Sequence, residues 1–508
     1  MIKRLSQVVK MPKFGSGAMI KNVVSGTRKV NINFRRSPLM FWLTSLSIFL
    51  CVTVLFPIHG ITAQTNSTSD RTFEQWCEQK DSLPAETRKT VELVLNQVNT
   101  KDCKLASPIL KLTKKLDLSL FDEIIDITPL ASLTNLTDLS IDLFADRVII
   151  IDITPLAKLT KLTRLRIPNW RSSWVARIND VKPLASLINL RELDLGYGQI
   201  FDIEPLAKLT NLTKLTLYLN KDENKTTDIT PLTKLTKLTK LDLLGNRINN
   251  ISLLANLIHL TELGLNLDQN SDVNLLVNTT KSINLISLRI SGNKITDITP
   301  LANLTNLTEL DLRSNKITDI APLANLTNLT KLHIGYNGIT NITPLAKLTN
   351  LTELVSTDNK ITDITPLANL TNLTNLDLSS NRITDIAPLA TLTNLTNLWL
   401  SDNKVTDITP LAILTGLTDL LLSINKITDI TPLAKLTNLT NLWLYGNKVT
   451  DITPLARLIN LRFLYLSENK IVDITPLAKL TKLLRLSLGK NPIRDKVCPL
   501  KRESICEF

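Results

Sequence analysis

Large apolar and aromatic residues recur at a fixed interval near the carboxyl end of the chain. Trp399, Leu421, Trp443 and Tyr465 follow one another in steps of 22 residues. Two further rings stand close to them in the sequence, Tyr445 and Phe463. Exposed Trp and Tyr side chains are typical anchors of binding interfaces. The chemistry that these residue types offer is recognition of a partner, either a protein or a carbohydrate, if the rings face solvent.

Four cysteines outside the apolar leader form a second chemical set. Cys77 and Cys103 precede the regular part of the chain, and Cys498 and Cys506 follow it. Four cysteines allow three pairings. The local pairs Cys77–Cys103 and Cys498–Cys506 are favoured because the ends of a long repeat array lie far apart, and such disulfides are typical of exported proteins. Free thiols are the alternative.

Catalytic and metal-binding motifs are absent from the sequence. It contains no P-loop, dinucleotide fingerprint, HExxH pair or GxSxG elbow, so it predicts neither an enzyme nor a cofactor. His59, His259 and His333 have no metal-ligand spacing to the cysteines, so no metal site is predicted. Aspartates at a 22-residue spacing between Asp297 and Asp473 are predicted to be structural, since Asp forms turns and caps. Calcium binding is the alternative for that row.

The elements that position these residues are repeats. One unit reads LTNLTELDLRSNKITDIAPLAN over residues 304–325. Its frame, LxxLxxLxLxxNxI, is that of a leucine-rich repeat, and a fixed period of this length indicates a solenoid. The asparagine of the frame recurs every 22 residues at Asn293, Asn315, Asn337, Asn359, Asn381, Asn403, Asn425, Asn447, Asn469 and Asn491.

The repeat frame predicts an α/β solenoid: a curved horseshoe with a parallel β-sheet on the concave face and short helical or 3-10 turns on the convex face. About 17 units are expected between Leu116 and Leu488. The two leucines of LxL point into the core because side chains alternate along a strand. We expect Asn to satisfy backbone groups where the chain leaves the strand and to stack as a ladder. Thr can cap the helical turn, and Pro fits its first position.

Residues between the strand leucines must point outward onto the concave sheet. The aromatic column therefore predicts a partner-binding site of Trp399, Leu421, Trp443, Tyr445, Phe463 and Tyr465. Passive stacking of the rings on one another is the alternative. The earlier repeats carry charges at matching positions, which predicts either a second contact zone or a solvated surface. These residues are Arg164, Arg166, Glu192, Asp194, Lys214, Asp242 and Glu262.

The chain is predicted to contain five segments. Residues 1–63 are a basic leader with an apolar run at 38–58, long enough to span a bilayer but also compatible with a signal peptide. Residues 64–70 are a polar linker, 71–104 a helical cap, 105–491 the solenoid and 492–508 a carboxyl-terminal cap. The basic flank should stay in the cytoplasm, so the repeats are expected outside it. The protein is predicted to be secreted, periplasmic or anchored by that single segment, its only membrane contact.

The early repeats are irregular. Phe144, Trp170 and Gly198 stand where Asn is expected, and extra residues follow several strands. Trp170 is predicted either to fill the vacant Asn slot against the core or to form an exposed binding loop together with Trp174.

The net charge of +13 is concentrated in the leader. Nine basic residues precede the first acid, Asp70, and the remainder has 50 basic against 46 acidic residues. A nearly balanced body does not predict nucleic-acid binding.

The segment NKITDITPLANLTNLTEL at 293–310 resembles the repeats of bacterial internalins, and the resemblance covers about residues 116–491. It implies a concave face that binds a protein partner outside the cell. The expected function is non-catalytic protein binding by an extracytoplasmic adhesion or recognition module. An intracellular regulatory scaffold subunit and a carbohydrate-binding surface protein are the alternatives.

Overall fold

A computed structural model describes residues 71–120, 126–143, 149–168, 176–196, 200, 202–218, 228–248, 250–267, 270–280 and 283–508. All described residues belong to one compact unit, Thr65–Phe508. The predicted leader and linker therefore lie outside the described residues, as do Trp170 and Trp174. No helix within the described ranges is both long and apolar enough to cross a bilayer.

Three helices precede the repeats: α1 (Phe73–Glu78), α2 (Ala85–Gln97) and α3 (Cys103–Leu112). Thr72 starts α1 with a capping box, and a disulfide joins Cys77 of α1 to Cys103 of α3. Apolar side chains of α1 and α2 continue the buried core of the repeats. The hydroxyl of Thr87 donates to Asp126 over 2.6 Å, which ties α2 to the first repeat. The helices therefore cover the amino-terminal end of the solenoid core.

Among the described residues, eighteen strands form one parallel sheet in which chain neighbours pair. The strands outside the regular block are β1 (Lys115–Leu120), β2 (Asp138–Leu143), β4 (Arg164–Ile167), β6 (Glu192–Leu195), β7 (Lys214–Leu217), β8 (Lys240–Arg247), β9 (Glu262–Asn266) and the last strand, β20 (Cys506–Glu507). The regular block contains β10 (Ser287–Arg289), β11 (Glu309–Asp311), β12 (Lys331–His333), β13 (Glu353–Val355), β14 (Asn375–Asp377), β15 (Asn397–Trp399), β16 (Asp419–Leu421), β17 (Asn441–Trp443), β18 (Phe463–Tyr465) and β19 (Arg485–Ser487). Two short strands, β3 (Ile149–Ile150) and β5 (Ala176–Arg177), pair separately. Seventeen strands of the main sheet, all but β20, correspond to the 17 predicted units.

Short 3-10 turns return the chain to the start of each next strand. They span Thr128–Ser132, Thr154–Lys158, Lys182–Ser186, Glu204–Lys208, Thr230–Lys234, Ile251–Asn256, Thr299–Asn303, Ala321–Asn325, Thr343–Lys347, Thr365–Asn369, Ala387–Thr391, Thr409–Ile413, Thr431–Lys435, Thr453–Arg457 and Thr475–Lys479. A helix, α4 (Asn270–Thr280), stands in the connection between β9 and β10. Parallel strands with such turns form the predicted solenoid.

An aspartate, or in one repeat an asparagine, accepts the first N–H of each regular turn in place of the predicted threonine cap. In one repeat the Asp363 carboxylate accepts the N–H of Thr365 over 2.8 Å, so Thr365 is already the first residue of the turn. Asn341 replaces Asp in one repeat and accepts the N–H of Thr343 over 2.9 Å. The expectation that Thr supplies the cap was therefore wrong, because the side-chain oxygen two residues earlier already occupies that N–H.

The repeat asparagines connect each unit to the one before it. The Asn381 amide donates to the carbonyl of Leu378 in its own repeat over 3.0 Å and to that of Ser356 in the preceding repeat over 2.9 Å. Its oxygen accepts the N–H of Ile361 over 3.0 Å. Buried backbone groups need such partners. The asparagine row therefore satisfies backbone groups at the strand exits and fixes the stacking of neighbouring repeats.

The carboxyl terminus closes the other end of the sheet. Leu486 of β19 pairs with Cys506 of β20, and a disulfide joins Cys498 to Cys506. Ile493, Leu500 and Ile505 are buried against the last repeat. The exposed edge of an open sheet is thus covered by the chain itself.

Candidate binding surface

The register of the sheet brings the aromatic column together. Trp399 pairs with Leu421, Leu421 with Trp443, and Trp443 with Tyr465 on successive strands. The leucine beside each of these residues is buried, so the column points to the opposite, concave side. We call Trp399, Leu421, Trp443, Tyr445, Phe463 and Tyr465 the concave aromatic patch.

The rings of the patch remain accessible to solvent. Trp399 is 37% exposed and Phe463 36% exposed, while Trp443, Tyr445 and Tyr465 are partly buried. The ring centroids of Trp443 and Tyr465 are 4.5 Å apart with the planes inclined by 47°. The Arg485 guanidinium carbon lies 5.7 Å from the Tyr465 ring centroid. The patch therefore has ring–ring packing at one end, and at the other the Trp399 indole packs against no ring among the described residues.

Ile424 enlarges this apolar surface and was not predicted. It is 44% exposed and has a φ of +53°, a conformation that strains a β-branched residue. Its N–H donates to the carbonyl of Tyr445 over 2.8 Å, which places it beside the patch. The available signal was its position: the residue before Asn is Ser, Tyr, Asp, Gly, Glu or Lys in the other regular repeats.

The Tyr445 phenol stays protonated well above neutral pH. Burial raises the pKa of Tyr445, and the negative charges of Glu468 and Asp402 raise it further. The phenol therefore presents a neutral hydroxyl to a bound partner.

Ion pairs dominate the concave face of the early repeats. Arg164 lies between Asp138 and Glu192, at 3.2 and 3.0 Å. Lys214 also contacts Glu192, at 3.0 Å. Burial raises the pKa of Asp194, whose carboxylate faces Arg166 at 3.6 Å. These charges satisfy one another, which favours a solvated ion-pair surface over a contact zone.

A glycine permits one of these pairs to skip a strand. Arg289 of β10 reaches Asp242 of β8 over 2.8 Å, across Gly264 of the intervening β9. A Cβ at position 264 would lie 2.8 Å from an Asp242 carboxylate oxygen. Any larger residue at Gly264 would displace the Asp242 carboxylate.

Within the described part of the chain, no cluster of three or more His, Cys, Asp or Glu side chains is placed to hold a metal ion. His333 instead contacts Glu353 at 2.8 Å, one strand away.

Fold and surface together define a leucine-rich-repeat solenoid with an accessible apolar patch on its concave side. A sequence model of leucine-rich repeats matches residues 283–325, 327–369, 371–412, 415–457 and 459–502. An internalin, InlF, of Listeria monocytogenes is 33% identical, with 71% of this chain and 98% of that chain covered and a TM-score of 0.46. A leucine-rich-repeat protein of Leptospira interrogans is 24% identical, with 78% and 95% covered and a TM-score of 0.52.

A second Listeria monocytogenes internalin, InlC2, is 36% identical over 43% of this chain and 92% of that chain, with a TM-score of 0.35. Comparison with curated proteins gives no match. The repeat model and the sequence identity to InlF identify the family. The chain belongs to the bacterial leucine-rich-repeat proteins with internalin-type repeats.

Proposed function

We propose that this protein is a non-catalytic recognition module that binds a protein partner outside the cytoplasm through the concave aromatic patch. The observation that carries the proposal is a contiguous row of accessible aromatic and large apolar side chains, from Trp399 through Leu421 and Trp443 to Tyr465, on the outward side of the sheet. Contiguous exposed apolar surface is typical of interaction sites. Leucine-rich-repeat domains as a class are protein-interaction modules, which agrees with this assignment.

The rigidity of the support favours binding. Each strand under the patch is hydrogen-bonded to both neighbours, and Asn403, Asn425, Asn447 and Asn469 hold the strand exits. A surface fixed in this way loses little conformational entropy when a partner binds. The patch therefore needs no rearrangement before it makes contact.

Two features support a location outside the cytoplasm. Disulfides join Cys77 to Cys103 and Cys498 to Cys506, and such bonds persist in oxidising compartments. The sequence of residues 1–63 has the charge and hydropathy of an export signal or anchor.

Site-specific cross-linking tests the proposal. A photoreactive amino acid replaces Asn441, beside Trp443 in β17, or Leu112, an exposed apolar residue of α3. In extracts of the cells that make the protein, we expect the photoreactive residue at position 441 to form adducts with a protein partner. The control at position 112 should not form those adducts.

These adducts should disappear when the protein with the photoreactive residue at position 441 also carries the substitutions Trp399→Ala and Trp443→Ala. Adducts that survive these changes would contradict the assignment of the patch. Adducts to glycans alone would favour the carbohydrate alternative instead.

A further inference from the structure

The concave face changes its charge along the solenoid. In each repeat from β13 to β18, four positions are outward: the first and third residues of the strand and the two residues before the repeat Asn. Across these six repeats they contain six acids and no Lys, Arg or His. The acids are Glu353, Asp358, Asp377, Asp402, Asp419 and Glu468. At these outward positions the concave aromatic patch is therefore accompanied by acids and by no basic residue.

Four of these acids have no cationic partner among the described residues. Glu353 contacts His333 at 2.8 Å and Glu468 contacts Lys490 at 2.6 Å, at the two ends of the stretch. For Asp358, Asp377, Asp402 and Asp419, none of the described residues places a cationic nitrogen within 4.0 Å. The regular repeats do carry cations immediately after Asn, such as Lys360, Lys404 and Lys426, but these stand beyond the strand exits. This arrangement differs from the early repeats, where acids and bases neutralise each other.

Neutral donors hold two of the unpaired carboxylates in place. Asp377 accepts the hydroxyl of Thr357 over 2.6 Å and the N–H of Ser379 over 2.9 Å. Asp419 accepts the hydroxyl of Thr418 over 2.9 Å and the amide of Asn441. A cation from outside would meet carboxylates that are already oriented and have no internal counter-ion to displace. Charge-assisted hydrogen bonds to such groups are the strong ones.

A buried hydroxyl without a partner points to the same surface. Ser423 is 1% exposed, and its oxygen has no hydrogen-bond partner among the described residues. Ser423 occupies the repeat position of Thr357, whose hydroxyl bonds the outward-facing Asp377, so Ser423 points to the concave side as well. The corresponding Ser467 shares a hydrogen bond with Ser487 over 2.6 Å. A buried polar group left unpaired is costly, so this position is a local weak point beneath the concave surface.

The aromatic rings can also accept a cation. Arg485 already lies over the Tyr465 ring at the end of the patch. Within the described ranges no cation stands over Trp399 or Trp443. Trp399 pairs with Asp377 on the neighbouring strand, so an indole face and a carboxylate lie side by side. Arg and Lys bind in such surroundings by combining cation–π and ionic contacts.

We propose that the acidic aromatic stretch of β13 to β18 selects a protein segment that presents Arg or Lys next to apolar side chains. This inference rests on the proposed function and specifies its partner. The apolar side chains pack on Trp443, Tyr465 and Ile424, and the cations reach Asp377, Asp402 and Asp419. Charge complementarity of this kind governs specificity and association rate.

A random 12-residue peptide library displayed on phage and panned against the full chain in non-ionic detergent tests the inference. We expect the selected peptides to be enriched in Arg and Lys. The variant Asp377→Asn/Asp402→Asn/Asp419→Asn should bind a selected synthetic peptide about tenfold more weakly at low salt, with a smaller dependence on salt.

The matched control Asp363→Asn/Asp385→Asn/Asp429→Asn removes the same charge from the caps of the convex turns. It should leave the affinity for the selected peptide unchanged. An equal loss in this control would overturn the inference, because the effect would then reflect net charge alone.

The two proposals fail in different ways. If the selected peptides are neutral or acidic and bind less well to Trp399→Ala/Trp443→Ala, the patch is a binding site and the inference about charge is wrong. If the selected peptides bind that variant as well as the unchanged protein, or if none is enriched, the proposed function is contradicted as well.

Discussion

Trp443 and Tyr465 pair directly across β17 and β18, and their ring centroids stand 4.5 Å apart. Tilted ring pairs at such distances contribute about 0.5–1.5 kcal/mol beyond their buried area. The pair therefore stabilises the sheet locally as well as offering contact surface.

The Trp443–Tyr465 contact should give measurable energetic coupling. In a double-mutant cycle with Trp443→Ala and Tyr465→Ala, we expect the free energies of unfolding to be non-additive by about 0.5–1.5 kcal/mol. The control cycle of Trp399→Ala and Tyr465→Ala joins residues three strands apart and should be additive. Urea unfolding followed by circular dichroism measures both cycles. If the free energies of unfolding are additive in both cycles, the two rings pack together without stabilising each other.

Loss of a repeat asparagine should destabilise the solenoid strongly. Asn381→Ala removes one of two side-chain hydrogen bonds to each of the carbonyls of Ser356 and Leu378, and it leaves the buried Ile361 N–H without its acceptor. Each unsatisfied buried group costs about 1–3 kcal/mol, so the melting temperature should fall clearly. Asn372→Ala, which removes one exposed hydrogen bond to the carbonyl of Thr349, is the control and should have little effect. Equal melting temperatures for the two variants would contradict the role of the asparagine row.

The turn aspartates should make the protein sensitive to acid. The hydrogen bond from the Thr365 hydroxyl is the largest cause that lowers the pKa of Asp363, and the hydrogen bond from the Thr365 N–H lowers it further. The pKa values of Asp407 and Asp451 are lowered in the same way. A lowered folded pKa gives stability that is present above the unfolded value of about 3.9 and is lost as the pH falls through the folded values.

We therefore expect the melting temperature to fall as the solution is acidified below about pH 4. Replacing Asp363, Asp407 and Asp451 by Asn should flatten this acid limb, as Asn341 already caps its turn without a charge. Thermal melts between neutral pH and the acid limb measure the difference. An unchanged acid limb in the triple variant would assign the pH dependence to other carboxylates.

Replacement of Ile424 should separate stability from binding. A left-handed backbone costs an L-residue with a Cβ roughly 1–2 kcal/mol, so Ile424→Gly should lose this strain. We expect the melting temperature to stay or rise, while affinity for a peptide selected on the concave face falls. Ser380→Gly, at the same repeat position with a φ of +53°, should leave that affinity unchanged. Unaltered affinity in Ile424→Gly would remove Ile424 from the binding surface.

The period of the sequence predicted the fold and the orientation of the aromatic column. Alternation along a strand is enough to place Trp399 and Tyr465 outside and the leucines inside, because a slip by one residue would bury the rings. Ile424 was missed because Ile before a strand exit is indistinguishable from core residues by type. Its exposure follows from a backbone conformation that the Ile side chain does not favour.

Other contacts depend on distances that the repeat pattern does not contain. Arg289 and Asp242 are two strands apart, and their pairing requires the missing side chain of Gly264. Likewise, only the stacking of neighbouring repeats reveals that the described residues place no counter-ion beside Asp377 or Asp419. The sequence therefore predicts which residues of the patch line up on the concave side, but it does not predict the charges that surround them.

The asparagine contacts reach one repeat back and no further, as those of Asn381 to Ser356 and Ile361 illustrate. Removing one complete 22-residue unit, such as residues 316–337, would bring an equivalent asparagine into the same slot. Unequal recombination between these near-identical segments can therefore lengthen or shorten the protein without disturbing the register. Such mutations therefore change the length of the recognition face by whole repeats.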